Sequence, residues 1–146
     1  MLGVITVNYY SEEHTKKFVD SISDHENIEI VIIDNSNSLT PIKNTTIIKP
    51  ETNIGLSRAW KLGFNYINDK VDAIIFSNND AVLSTEFINY CKNIDTEKKI
   101  IFGPKIMDLK GNVWSAGGNF QKPFYNVNHS KADKLPKQIE INVKHL

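Results

Sequence analysis

The sequence predicts an α/β fold in which a mostly parallel sheet is flanked by helices on both faces. Apolar, β-branched runs such as LGVITV and IEIVIID are typical of strands buried on both sides. They alternate with helical segments in the order strand, helix, strand, strand, helix, strand, helix, strand. The clearest helical segment is NIGLSRAWKLGFNYIND, whose apolar stripe comprises Leu56, Ala59, Trp60, Gly63, Phe64 and Ile67.

Each of the first elements has a local justification. LGVITV is followed by a helix in SEEHTKKFVDSIS, where Ser11 is a favourable N-cap and Glu12 and Glu13 suit the first turn. IEIVIID and TTIIKP then supply the second and third strands, separated by the loop NSNSLTPIKN. The sequence therefore predicts two consecutive strands between the first and second helices.

The alternation of strands and helices continues as far as Gly103. VDAIIFS is predicted as a buried fourth strand, STEFINYCKNID as a third helix capped by Ser84, and KKIIFG as a fifth strand. Beyond Gly103, PKIMDLKGNVWSAGGNF is typical of a hairpin with LKGN as its turn. QKPFYNVNHSKADKLPK is predicted as a loop, and the alternating QIEINV as a strand.

Composition restricts the class of protein. The 146 residues predict one domain over 1–146, and 17 basic residues balance 17 acidic ones, which argues against a nucleic-acid partner. The single cysteine, Cys91, excludes an internal disulfide and suits a reducing compartment. No apolar run approaches the roughly 18 residues of a membrane-spanning helix. We therefore expect a cytoplasmic protein.

Polar residues follow the strands at the places where ligands bind in parallel sheets, the carboxyl ends. They form four groups: Asn8-Tyr9, Asp34-Asn35-Ser36, the segment Asn53 to Arg58, and Asn78-Asn79-Asp80. Taken singly, each has an ordinary structural interpretation, such as an Asx-turn at Asp34 or a helix-capping loop at Asn53. Four groups on one edge make a binding site the better prediction.

The residue types indicate a nucleoside-diphosphate site. Neither G-x-G-x-x-G nor G-x-x-x-x-G-K-[ST] occurs, so the common dinucleotide and P-loop phosphate cradles are excluded. A carboxylate such as Asp34 can accept from a pyrimidine N3–H, and the ring of Tyr9 can stack on a base. Arg58 can pair with phosphate oxygens, and Asp80 can hold Mg²⁺ or Mn²⁺. For Arg58 a purely structural role in the helix stays open.

Five motifs in order give the chain a family resemblance. They are VNYYS at 7–11, IDNSNS at 33–38, NIGLSRA at 53–59, NND at 78–80 and GPKIMDLKGNVWSAGG at 103–118. With these the chain resembles the bacterial family 2 glycosyltransferases of the GT-A fold, in the rhamnosyltransferase-like group. The resemblance covers nearly the whole chain. Tyr10 departs from it, because the family usually has Asn there.

The resemblance implies a function and a set of site residues. It implies an inverting transferase that moves a sugar from a UDP- or dTDP-linked donor to a glycan or lipid-linked acceptor, with Asp34 toward the base, Asn78 toward the ribose and Asp80 on Mg²⁺ or Mn²⁺. The general base is expected beyond residue 146, so no catalytic residue is assigned. The predicted donor-site residues are Val7, Asn8, Tyr9, Asp34, Asn35, Ser36, Asn53, Gly55, Arg58, Asn78, Asn79 and Asp80.

Other functions and partners stay open from the sequence. A non-catalytic nucleotide-sugar-binding or interaction module also fits the expected lack of a base. A GT-A-like nucleotidyltransferase fits less well, because NYYSEEHT after the first strand has neither glycine nor a cation at the turn. Homo-oligomerisation, and peripheral attachment to the inner face of the membrane through the part expected beyond residue 146, are further expectations.

Overall fold

Four parallel strands form the central sheet: β1 (Leu2–Asn8), β2 (Ile28–Asp34), β3 (Thr46–Ile48) and β4 (Ala73–Phe76). Their order across the sheet is β3-β2-β1-β4. The structure is a computed structural model that describes residues 1–97, 101–116, 118–121 and 126–129. Contacts divide the chain into two compact units, Met1–Thr96 and Glu97–Leu146, and the sheet belongs to the first. The single domain predicted from the sequence stays a prediction.

Three helices flank this sheet: α1 (Glu12–Asp20), α2 (Leu56–Ile67) and α3 (Thr85–Lys92). The predicted α/β fold with a parallel sheet is confirmed. Ser84 caps α3 as predicted, its side chain accepting from the Phe87 amide at 3.2 Å. Ser11 stands at the N-cap of α1 but makes no side-chain cap. Within the described part of the chain, no helix is long and apolar enough to cross a bilayer.

Two apolar cores lie on opposite faces of the sheet, because side chains alternate along each strand. On one face Leu2 and Val4 of β1 pack with α1 and α3 through residues such as Phe18 and Ile88. On the other face Ile5, Val31 and Ile33 pack against Ala59 and Ile67 of α2. By the same alternation Asn8 and Asp34 fall on the face of α1 and α3, at the carboxyl ends of their strands.

The fourth strand is less buried than its sequence predicts. Among the described residues β4 pairs only with β1, so it lies at the edge of the sheet. Ile75 is buried, whereas Phe76 is 45% exposed and contacts Trp60 edge-on at 5.8 Å between ring centroids. The apolar run VDAIIF therefore predicts the strand correctly, but the prediction that the strand is buried is wrong for most of its residues.

The described part of the second unit contains two antiparallel strand pairs. The predicted hairpin is confirmed: β5 (Ile106–Met107) pairs with β6 (Val113–Ser115) around the predicted turn, where Gly111 has φ +80°. A second pair joins β7 (Gly118–Gln121) to β8 (Asn126–His129).

Two sequence predictions in this region need correction. The segment predicted as a loop contains the strand β8. Its polar composition gives no strand signal in the sequence, because the strand is specified by its pairing with β7 rather than by apolar alternation. Residues 101–103 of the predicted fifth strand KKIIFG are irregular, since an apolar run forms a strand only where it finds a pairing edge. Residues 98–100 and the predicted strand QIEINV lie outside the described residues.

Gly63 is required by the close approach of α2 to β1. A Cβ built at Gly63 would lie 2.6 Å from Cγ2 of Ile5, a fully buried side chain. Helix propensity alone favours Gly63→Ala by about 1 kcal/mol. We expect the cost of overpacking to exceed this gain in helix propensity. Gly63→Ala should therefore lower the free energy of unfolding by about 1–3 kcal/mol in urea denaturation.

The matched control is Asn65→Ala, at an exposed position of the same helix. There the propensity gain has no opposing clash, and stability should rise by roughly 0.5 kcal/mol. If both alanine variants were stabilised, the close approach of α2 to β1 would be refuted.

Candidate functional site

The side chain of Asn8 joins the ends of the first two strands. Asn8 pairs in register with Asp34 and is completely buried. Its Nδ2 donates to Oδ1 of Asp34 at 2.8 Å and to Oγ of Ser36 at 3.1 Å. Its Oδ1 accepts from the Thr15 hydroxyl of α1 at 2.9 Å. One carboxamide therefore holds β1, β2 and α1 together, by donating on one side and accepting on the other.

Asp34 is a buried carboxylate that accepts hydrogen bonds from the protein at both oxygens. Besides Asn8, Oδ1 accepts from the Ser36 hydroxyl at 2.7 Å and the Ser36 amide at 3.2 Å. Oδ2 accepts from the Leu39 amide at 2.8 Å and lies 3.7 Å from Nζ of Lys49. The Asp34 side chain has no exposed surface. A nucleobase reaches this carboxylate only if some of the residues that cover it move.

The same contacts set the charge state of Asp34. Burial by itself raises the pKa of this carboxyl group. The hydrogen bonds from Asn8, the Leu39 amide and Ser36 stabilise the anion and outweigh burial, so the pKa of Asp34 lies below its ordinary value. Asp34 is therefore an anion at neutral pH and an anchor for the loop that follows β2.

The end of β4 is fastened to α1 through Asn79. Its Nδ2 donates to Oγ of Ser11 at 2.6 Å and to Oγ1 of Thr15 at 2.8 Å. Thr15 in turn donates to Asn8, so one hydrogen-bonded chain runs from Asp34 through Asn8 and Thr15 to Asn79. The Ser11 hydroxyl, which does not cap α1, thus contacts the end of β4 instead.

The loop after β3 joins the same edge more weakly. Asn35 is nearly buried, and its side chain is 3.5 Å from both the Gly55 carbonyl and the Ile54 amide. Asn53 accepts from the Gly55 amide at 2.9 Å, and Gly55 has φ +77°, a conformation that favours glycine. These contacts place the start of α2 beside the end of β2.

Four further predicted site residues, Tyr9, Asn78, Asp80 and Arg58, have exposed side chains. Tyr9 is 54% exposed. Asn78, Asp80 and Arg58 are also exposed, and no hydrogen bond or ion pair engages their side chains within the described residues. Val7 differs from these, because it packs against the core under α2.

The donor set at this edge allows only a particular kind of metal site. Among the described residues, no three acidic, histidine or cysteine side chains come together as a metal cage. Asp80 is a lone exposed carboxylate, a hard oxygen ligand that suits Mg²⁺ or Mn²⁺. Such a site fits an ion held by one carboxylate, water and ligand oxygens, and it does not fit a structural ion held by protein alone.

A cavity of about 400 Å³ lies elsewhere, at the amino ends of β1 and β4. Its lining includes Leu2, Asp72 and Cys91. Burial raises the pKa of the Cys91 thiol to about 11, so at neutral pH the group is a thiol with little nucleophilic character. The cavity is on the opposite edge of the sheet from the predicted site, and we assign it no chemistry.

Sequence reasoning missed two residues of the site. Thr15 is fully buried and links Asn8 to Asn79, yet in the sequence it is one polar residue within a helix. Lys49 donates to the Leu39 carbonyl at 2.9 Å and faces Asp34, although it follows a strand of ordinary pattern. No local signal marks either residue, since both roles arise from neighbours distant in sequence.

The comparisons with known proteins add no family assignment. The chain matches none of the protein-family models and none of the curated proteins with which it was compared. The class of protein that the fold defines is thus an α/β domain with a parallel sheet and a polar carboxyl edge. The roles of the individual residues in ligand binding stay predictions.

The lowered pKa of Asp34 gives a pH-dependent prediction. Because the folded pKa is below the unfolded one, the carboxylate stabilises the fold above about pH 4 and loses this effect as pH falls toward the folded value. Asp34→Asn should cost roughly 2 kcal/mol at pH 7, because an amide cannot accept all of these donors. Urea denaturation should show the deficit shrinking below pH 4.

Asp24→Asn is the matched control, since Asp24 is exposed in the turn before β2. This substitution should change the free energy of unfolding little at pH 7 and at pH 3. A deficit of Asp34→Asn that stays constant from pH 7 to pH 3 would show that the charge of Asp34 does not stabilise the fold.

Proposed function

We propose that this chain is the donor- and metal-binding part of an inverting family 2 glycosyltransferase with the GT-A fold. Its donor is a UDP- or dTDP-linked sugar and its acceptor a glycan or lipid-linked hydroxyl. An acceptor hydroxyl that has lost its proton to a general base would attack the anomeric carbon in line. The proposal assigns this chain to donor binding and names no general base within it. It places the enzyme in the cytoplasm, where a free Cys91 stays reduced.

One observation carries the proposal: hydrogen bonds join all four predicted strand-end groups into one layer. Asn8 at the end of β1, Asp34 and Asn35 at the end of β2, Gly55 in the loop after β3 and Asn79 after β4 are linked directly or through Thr15. In parallel sheets this edge is where ligands bind. Side chains suited to a base, a phosphate and a cation, those of Tyr9, Arg58 and Asp80, remain exposed in the same strand-end segments.

The start of α2 supports a diphosphate at this edge. Its first turn has no acidic residue, and Gly55 at the N-cap supplies no side-chain hydrogen bond. The amide groups there are therefore available to an anion, and the helix dipole favours one. Arg58 lies in the same turn, where a cation by itself is unfavourable. A bound phosphate relieves that conflict.

Asp80 would hold the Mg²⁺ or Mn²⁺ in this proposal. When bound, the ion supplies charge neutralisation for the departing diphosphate. Asn79 fixes the segment that carries Asp80, because its side chain is fastened to Ser11 and Thr15. Asp80 itself remains exposed and can turn toward a ligand.

The proposal gives Asp34 a supporting role rather than the base contact expected from the sequence. Its buried oxygens hold Asn8, Ser36 and the Leu39 amide, so they fix the surface on which a base would rest. Tyr9 is then the exposed group that contacts the base, through ring stacking. Asn78 is exposed and free to meet the ribose.

The Asp80 assignment is tested by Mn²⁺-dependent nucleotide binding. Calorimetric titration of the chain with UDP or dTDP should give tighter binding with Mn²⁺ than with a chelator. In Asp80→Ala this difference should disappear while the thermal unfolding temperature stays unchanged, since the side chain makes no contact that the fold needs.

Asp24→Ala provides the control, because it removes an exposed carboxylate from the turn that leads into the amino end of β2. It should retain the Mn²⁺ effect in full. A folded Asp80→Ala protein with wild-type Mn²⁺ dependence would remove Asp80 from the metal site. Absence of nucleotide binding by the wild-type chain would contradict the proposed function itself.

A further inference from the structure

Tyr10 has a backbone conformation that tyrosine rarely adopts. Its φ is +50°, in the left-handed region that favours glycine and asparagine. Among the described residues the other non-glycine positions with positive φ are Asn27, Asn37 and Asn44. This chain therefore uses asparagine at three such positions and an unfavourable aromatic residue at the fourth.

The fold needs the backbone of Tyr10 but not its ring. The Tyr10 amide donates to Oγ of Ser36 at 3.1 Å, which holds the turn between β1 and α1 in this conformation. Any residue with an amide hydrogen makes that bond, and Asn or Gly makes it with less strain. Tyr10 is 72% exposed, so its side chain buries little apolar surface in return.

The ring of Tyr10 instead forms an edge-to-face pair with the ring of Tyr9. The two centroids are 4.7 Å apart and the ring planes meet at 64°. Both rings are largely exposed. Such a pair of rings offers a ligand one aromatic face for stacking and a second ring for an edge contact. Planar aromatic groups favour both arrangements.

We propose that Tyr10 is a second nucleobase-binding residue, which clasps the base together with Tyr9. The inference rests on the proposed function, because it assumes that a nucleoside diphosphate binds at this edge. Its location supports the assignment: Ser36, which holds the Tyr10 amide, also bonds Asn8 and Asp34 in the layer beneath. The strain at Tyr10 is then the cost of presenting a ring to the ligand.

Tyr10→Asn tests this role because binding and stability should change in opposite directions. In calorimetry with UDP and with dTDP, each with Mn²⁺, the variant should bind about tenfold more weakly, the effect of losing one base–aromatic contact. Without ligand, its unfolding temperature should rise by about 2–4 °C, since asparagine suits φ +50°.

Two controls separate the base contact from other effects. Tyr10→Phe keeps the ring, so its nucleotide affinity should stay within about twofold of wild type. Inorganic pyrophosphate with Mn²⁺ has no base, so wild type and Tyr10→Asn should bind it equally.

Each result has a distinct meaning. Equal UDP and dTDP affinities of wild type and Tyr10→Asn would overturn the inference and leave the proposed function standing. A lower unfolding temperature for Tyr10→Asn would also overturn it, by showing that the ring stabilises the fold. If wild type binds neither nucleotide, the proposed function and this inference both fail.

Discussion

The polar edge of this sheet depends on the buried side chain of Asn8. Burying a polar group is unfavourable unless its donors and acceptors are satisfied. Both the donor and the acceptor of the Asn8 side chain are satisfied, because Nδ2 donates to Asp34 and Oδ1 accepts from Thr15. Aspartate at this position would oppose the charge of Asp34, and leucine could neither donate to Asp34 nor accept from Thr15. The carboxamide therefore permits a carboxylate and a hydroxyl to be buried in one hydrogen-bonded layer.

A hydrogen-bonded layer of this kind explains how exposed groups could act without hydrogen bonds of their own. Within the part of the chain that the structure describes, no hydrogen bond or ion pair orients the side chain of Asp80, yet the preceding residue, Asn79, is held by Ser11 and Thr15. Tyr10 stays in a strained conformation because Ser36 holds its amide. In the proposed enzyme the buried layer would supply order and the exposed side chains would supply contacts. Preorganised contacts of this kind lower the entropic cost of binding.

Sequence reasoning reached the sheet and its polar edge because both follow from local patterns. Apolar runs predict the parallel strands, and strands that are parallel bring residues such as Asn8 and Asp34 to one edge. It could not distinguish Asn79, which turns inward, from Asn78, which is exposed, because identical side chains differ here only in their distant neighbours. Thr15 was missed for the same reason. Likewise, the polar β8 strand is specified by its partner strand and not by its own composition.

The central claim is that one continuous hydrogen-bonded chain joins the end of β1 to the end of β4. A double-mutant cycle of Asn8→Ala and Asn79→Ala, measured by urea denaturation, tests it most directly. The two side chains share no hydrogen bond, and each contacts Thr15. The account predicts a coupling free energy of about 1 kcal/mol, because loss of either side chain already weakens the hold on Thr15. Strictly additive effects of the two substitutions would contradict it.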